Sequence, residues 1–458
     1  MADARDVEIV VVGAGPAGLG AALAARRLGA EVLLLDEHGD AGGQYFMQPR
    51  AGIEPTLDAA RQVLAGRDAI ERVRAAGVEI WQGAEVWGLF PSRRLCVHRD
   101  GRTHTVSARR LIVATGAHDR VMAFPGWTLP GVMTAGGAQR LVKVDAVAPG
   151  RRAVIAGAGP FLLVVAKHLL AAGVEIAAYV ETTRPSVSAV LGLMRFPEIW
   201  RELAGYAGSL LRSRAPVYLG ASVAAAHGGE SLERVTIARA DEGAADRFDV
   251  AADLLAVAYG FRPQIELTML AGCGHRFEDA AGGWVCTVDR DTGLTSADGV
   301  YAVGEVTGVA GWRVAAAEGR IAGLSAARSL DHWRPDADAE LAQARRRRER
   351  GQRLADFVNR TFAPPAALVD GVTDDTVVCR CEDVPARAIR DAVESGAGTA
   401  GAVKSWTRCG MGPCQGRMCG WTLAHLLRKH AGTSPEAAGA NPPRVPIKPI
   451  PVQDIVAG

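Results

Sequence analysis

With 458 residues the chain has the length of about three domains and ample material for several buried cores. Its 52 lysines and arginines against 50 acids leave a net charge of +2, so no strong field recruits nucleic acid or an anionic membrane surface. Eight cysteines are too few for a disulfide scaffold, and in a reducing compartment the five crowded between Cys379 and Cys419 point to metal.

Asp3, Asp6 and Glu8 occupy the first residues, with no apolar signal core behind them. The most apolar stretch, Ala153 to Ala166, is shorter than the roughly 20 residues a transmembrane helix needs. The expected location is cytoplasmic, with any membrane association peripheral and through partners.

Ile9 to Val12 is a β-branched run with no polar break, as suits a parallel strand covered on both faces. It leads into G-x-G-x-x-G at Gly13, Gly15 and Gly18. The first glycine permits a tight turn, the second lets a pyrophosphate approach the backbone, and the third lets the helix lie close on the strand. Phosphate oxygens then meet free N–H groups at the helix start. Val32 to Leu35 makes a second strand, closed by Asp36, where a carboxylate accepts from a ribose 2′-hydroxyl. An acid there, in place of an arginine, argues against a 2′-phosphate. Gly42-Gly43 lets the backbone pass under an extended cofactor, and Leu111 to Ala114 is another buried strand that runs into Thr115-Gly116.

FPGWTLPG, Phe124 to Gly131, punctuates the chain. A second strand-glycine-helix unit follows, with Gly157 and Gly159 in the turn, Leu162 in place of the third glycine, and Glu181 ending its second strand. Two such units mean two nucleotide-type domains, the second with an altered turn. Val300 to Glu305 supplies a late strand ending in Gly304-Glu305, which a split first domain requires.

These residues resemble the pyridine nucleotide-disulfide oxidoreductase-like flavoproteins over residues 6 to 327, through GAGPAG, LLLD, AGGQ, VATG and AVGE. The resemblance implies an α/β fold of two dinucleotide-binding (Rossmann-like) domains, the second inserted in the first. It puts FAD on Gly13, Gly15, Gly18, Asp36, Gly43, Thr115, Gly116, Gly304 and Glu305, and an adenine nucleotide or NAD(P) on Gly157, Gly159 and Glu181. Cys96, Cys273 and Cys286 stand singly, so a Cys-x-x-Cys dithiol reductase is excluded.

Residues 333–372 read as a charged helical linker containing Arg345 to Arg348, without the aromatic interleaving of a nucleic-acid surface. Beyond it Cys379-Arg-Cys381 opens a cysteine-rich segment that ends in CGMGPCQGRMCG, carrying Cys409, Cys414 and Cys419. Four soft thiolates suit zinc or an iron-sulfur cluster; the opening C-x-C and the glycine N–H groups at Gly410, Gly412 and Gly416 favour iron. This segment is similar to the bacterioferritin-associated ferredoxin-like [2Fe-2S] domain, although its closing pair is C-x4-C where that family has C-x2-C. The resemblance assigns the cluster to Cys379, Cys381, Cys414 and Cys419 and leaves Cys409 outside. The alternative exchanges Cys419 for Cys409.

The whole combination resembles the larger FAD/[2Fe-2S] subunits of opine oxidases, hydrogen cyanide synthase and the hydroxyproline and proline dehydrogenases. That implies an electron-transferring subunit which pairs with a second flavoprotein subunit of amino acid oxidase type. The substrate would be a small amine, imino acid or opine, and the electrons would pass to a downstream acceptor. The rival reading is a self-contained NAD(P)H-dependent reductase that feeds a redox protein through its cluster. No residue is assigned as a catalytic base. Expected boundaries are 1–123 and 275–332 for the split FAD-binding domain, 124–274 for the insertion, 373–432 for a mainly helical [2Fe-2S] domain, and 433–458 for a Pro-rich extended tail. The cluster is expected at a subunit interface; in the alternative arrangement the small domain folds back onto its own FAD.

Overall fold

The computed structural model describes residues 5–54, 57–239 and 246–456. Strand Arg5–Val12 lies inside a seven-stranded sheet, which explains its unbroken apolar run. Val32–Leu35 and Arg102–Val113 flank it in parallel, with Val10 opposite both Leu33 and Leu111. Glu79–Trp81 extends one side, and Val300–Ala302 returns late in the chain to pair with the end of Arg102–Val113. Antiparallel strands Arg94–Arg99 and Glu85–Phe90 continue from the first half of that long strand.

Helix Pro16–Arg27 follows the glycine turn and crosses helix Trp312–Arg328 at backbone contact. A Cβ on Gly319 would lie 1.9 Å from the Ala17 carbonyl oxygen, and one on Gly323 2.2 Å from that of Ala21. The Ala/Gly composition of the late helix is therefore a packing requirement, and it brings the 300–311 turn against the first glycine turn.

The second sheet is parallel throughout, in the order Val217–Leu219, Glu175–Glu181, Arg152–Gly157, Leu254–Ala258, Val132–Thr134. Three antiparallel strands, Ala221–His227, Arg234–Arg239 and Asp246–Ala251, form a sheet beside it. The chain crosses between the two main sheets along Ala117–Asp119 and Phe261–Pro263, which pair antiparallel. These crossings end five residues before position 124 and eleven before position 274. FPGWTLPG itself belongs to the second core, where Phe124 and Trp127 are buried.

The charged run forms helix Ala337–Thr361, packed along Trp312–Arg328 with Leu341, Ala344 and Ala355 buried. Beyond it a short strand pair, Val377–Cys379 with Val384–Pro385, and helices Ala386–Glu394, Ala400–Thr407 and Gly420–Ala431 surround a core that includes Ile389, Val403, Leu423 and Leu427. This small domain folds back on its own chain. The Ala123 N–H donates to Thr422 Oγ1 at 3.0 Å, the Arg120 guanidinium lies 4.6 Å over the Trp421 ring, and Arg262 donates to the Gly416 carbonyl at 2.9 Å. Among the described residues no helix is long and apolar enough to cross a membrane.

Candidate cofactor sites and the cysteine cluster

A cavity of about 740 Å³ opens at the carboxyl ends of the first sheet, where a ligand of a doubly wound fold binds. It brings together Gly13, Gly15, Asp36, Gly43, Thr115, Gly116 and Glu305 from segments scattered over nearly 300 residues. Gly18 and Gly304 act one layer out. A Cβ on Gly18 would sit 1.7 Å from the Gly13 carbonyl oxygen, and one on Gly304 2.9 Å from the Ala17 side chain. Gly43, at φ +59, leaves no room for a Cβ over Gly15, whose own Cβ would meet nothing nearer than 3.8 Å. A cradle that excludes side chains yet leaves open space above Gly15 fits the pyrophosphate of FAD.

Asp36 is buried and accepts from the Ala14 N–H at 2.6 Å and the His38 N–H at 2.9 Å. The His38 ring Nδ1 lies 3.3 Å from Oδ1 as well, so Oδ2, with the Ala14 N–H as its one partner, is the oxygen that keeps a lone pair for a ribose hydroxyl. Glu305 accepts from the Gly311 N–H at 2.8 Å, so its carboxylate shapes the loop after the late strand, and burial pushes its pKa up. Thr115 donates its hydroxyl to the Gln264 carbonyl at 2.8 Å, which ties the cavity floor to the returning crossing strand.

Two residues of this site were not legible from motifs. Glu318, on the helix behind the late turn, accepts from the Gly304 N–H at 2.8 Å and Thr307 Oγ1 at 3.2 Å; burial raises its pKa to about 7. Its one signal in the sequence was a single acid in the Ala-rich stretch AAAEGRIAG. His118 lines the cavity with a buried Nε2 that has no hydrogen-bond partner among the described residues. Burial, then the charges of Arg262 and Arg417, hold its pKa well below the usual histidine value, so the ring is neutral. Its position directly after Ala114-Thr115-Gly116 was the clue.

The second glycine turn borders a separate cavity of about 710 Å³. Gly157, at φ +143, packs so tightly that a Cβ would fall 1.7 Å from the Ala258 carbonyl oxygen. Glu181 is buried and accepts from the Gly159 N–H at 2.9 Å, repeating the Asp36 arrangement. Leu162, in the place of the third glycine, is fully buried with Ile155 and Ala256 of the second sheet. Arg313, Arg320, Arg347 and Arg350 make the lining basic, and helix Ala337–Thr361 supplies one wall. Phe161 and Phe261, ring centroids 4.9 Å apart, line both this cavity and the first one.

Five thiols converge in the small domain. The sulfurs of Cys379, Cys409 and Cys419 lie within 4.8 Å of one another, and the Cys381 thiol contacts that of Cys414. The Cys379 thiol is held far below its ordinary pKa, first by the thiols of Cys409 and Cys419 and then by N–H groups of Gly410 and Glu382. Gly412 makes the meeting of the two loops possible, since its Cβ would lie 2.3 Å from that of Cys381. Soft donors, converging loops and backbone N–H groups directed at sulfur fit an anionic iron-sulfur cluster. Between Cys414 and Cys419, Arg417 and Met418 reach the wall of the first cavity, with Arg417 Nε 3.4 Å from Glu266. The two cofactor sites therefore share a wall.

Residues 7–319 match the pyridine nucleotide-disulphide oxidoreductase family, and residues 377–429 match the BFD-like [2Fe-2S] binding domain. The chain is 32% identical to an opine oxidase subunit of Rhizobium meliloti, covering 98% of both chains. It is 34% identical to the hydrogen cyanide synthase subunit HcnB of Pseudomonas aeruginosa, covering 96% of this chain and 97% of that one. Among solved structures, L-proline dehydrogenase from P. horikoshii shares the fold with a TM-score of 0.72 at 21% identity, over 99% of this chain and 81% of that chain. Thioredoxin reductase from T. acidophilum shares it over 71% of this chain and 99% of that one, at 22% identity and a TM-score of 0.53. The cofactors are FAD and a [2Fe-2S] cluster. The chain belongs to the pyridine nucleotide-disulphide oxidoreductase family and, within it, to the group that includes these opine oxidase subunits and the HcnB subunits of hydrogen cyanide synthase.

Proposed function

We propose that the chain is the electron-transferring FAD/[2Fe-2S] subunit of a hetero-oligomeric dehydrogenase or oxidase that acts on a small amine, imino acid or opine. The substrate is oxidised at a partner flavoprotein subunit of amino acid oxidase type, and this chain hands electrons on to an acceptor. The observation that carries the reading is the shared wall: the loop between Cys414 and Cys419 lines the FAD cavity through Arg417 and Met418. When bound, the two groups supply storage and transfer of electrons. The protein's own part is to hold them close, with the glycine cradle and Asp36 on one side and the cysteine loop on the other. We assign the cluster to Cys379, Cys381, Cys414 and Cys419.

The second turn supports a further part of this reading. Its basic cavity suits an adenine nucleotide held for structure, and the Phe161 and Phe261 rings stand between that cavity and the first. We propose that a nucleotide bound there delivers no hydride.

Co-expression with an amino acid oxidase-like partner tests the function. The expected result is a stable complex with amine:dye reductase activity that neither protein shows alone. Full activity of this chain by itself with proline, hydroxyproline, glycine or an opine overturns the proposal.

A further inference from the structure

The Pro-rich segment after the small domain runs back across both cofactor sites. Asn441 Nδ2 donates to the carbonyls of Gly410 at 3.3 Å and Gln415 at 3.0 Å, which grips the cysteine loop at two points. A Cβ on Gly416 would fall 2.3 Å from that same amide nitrogen, so the glycine is the recess into which Asn441 fits. Six residues on, Ile447 is buried in the first core and its N–H donates to the Trp87 carbonyl at 2.9 Å. The Ile447 carbonyl faces the Arg417 guanidinium at 3.4 Å, so the segment touches the cysteine loop a third time. Lys448 then pairs with Glu37, the residue after Asp36, and both line the FAD cavity.

We infer that residues 441–448 are a clasp that completes the adenosine end of the FAD site and pins the cysteine loop against it. The inference rests on FAD occupying the first cavity. Nothing in the glycine fingerprint or the cysteine spacing calls for this segment, and its proline content serves a physical purpose: Pro442 and Pro443 restrict the backbone, so less chain entropy is lost when it lies across two sites. Lys448 also brings a cation to Glu37, which would otherwise add a second negative charge beside the ribose acid. One consequence is coupling: loosening the segment at Asn441 weakens both cofactors, whereas removing the Lys448 charge weakens FAD alone.

Three proteins test this: Asn441→Ala, Lys448→Gln and a chain ended after Gly439, each compared with the parent. Released flavin is read by fluorescence after dilution, and cluster loss by decay of visible absorption under an iron chelator. Far-ultraviolet circular dichroism shows which variants are folded. Lys448→Gln is expected to lose FAD about tenfold faster, the equivalent of about 1.4 kcal/mol, with unchanged cluster decay. Asn441→Ala and the shortened chain are expected to lose both cofactors faster. If the parent carries FAD and the two folded point variants keep both cofactors as the parent does, the clasp is overturned while the cofactor assignment stands. A folded parent without flavin overturns both.

Discussion

The Ala14 N–H donates to Asp36 Oδ2 at 2.6 Å, so the acid that ends the second strand also closes the glycine turn of the first. One carboxylate thus holds the turn in shape and faces the cavity. Asp36→Ala removes a buried acceptor at a cost of about 1 to 3 kcal/mol and leaves the Ala14 N–H unpaired. FAD is expected to dissociate at least tenfold more readily, and Asp36→Asn, which keeps an acceptor, is expected to recover part of the loss. Fluorescence of released flavin measures both, and unchanged retention in Asp36→Ala would remove Asp36 from the site.

Glu318 gives the fold a pH dependence of definite sign. Its pKa rises on burial from the ordinary 4.5 to about 7, so the folded state binds a proton that the unfolded state has released. Its contribution is therefore fully present below about pH 4.5 and is lost as pH rises through about 7. Glu318→Gln keeps a carbonyl for the Gly304 N–H and cannot ionise. Thermal melts should show the variant more stable than the parent by about 3 kcal/mol at pH 8, with the gap closing towards pH 5. A gap independent of pH would show that the acid is neutral, or equally charged, in both states.

Much of this molecule is written in short-range signals. The first turn needs strand, glycines, helix and acid within 30 residues, and each has a local reason, so Gly13 to Asp36 could be read as one unit. The late strand at Val300 was readable only because the first unit demanded a partner for it. Contacts set by distant segments were not. Nothing near Asn441 says that it grips Gly410, and an arginine-rich helix looks solvated until Leu341, Ala344 and Ala355 are seen to pack on Trp312–Arg328. Cysteine spacing likewise says how many thiols can gather, and leaves open which loops face each other.

The Phe161 and Phe261 rings stand between the two cavities, 4.9 Å apart by centroid. A nicotinamide held on the second turn is expected to meet them on its way to a flavin. Anaerobic stopped flow with excess NADH is expected to show no rapid flavin bleaching, while an adenine nucleotide raises the melting temperature through the second cavity. Phe161→Ala opens the wall and is the natural control. Rapid stoichiometric bleaching of the unmodified protein would promote the NAD(P)H-dependent reductase reading.

The sulfurs of Cys409 and Cys419 both lie beside that of Cys379, so proximity alone does not say which one binds iron. The helices around them favour Cys419. Cys419 is the residue before helix Gly420–Ala431, where the partial positive charge of a helix N-terminus stabilises a thiolate. Cys409 comes just after helix Ala400–Thr407, beyond the left-handed Arg408, at the end whose carbonyls disfavour one. A protonated Cys409 can instead donate its S–H to the Cys379 sulfur, as a neighbour that tunes a ligand. Cys409→Ser is therefore expected to keep the visible absorption of the cluster and to shift its reduction potential, because a hydroxyl replaces the thiol beside a ligating sulfur. Cys419→Ser is expected to lose the absorption or to hold the cluster only weakly. If Cys409→Ser is colourless while Cys419→Ser keeps the spectrum, Cys409 is the ligand, and the closing pair is Cys409 and Cys414 in place of Cys414 and Cys419.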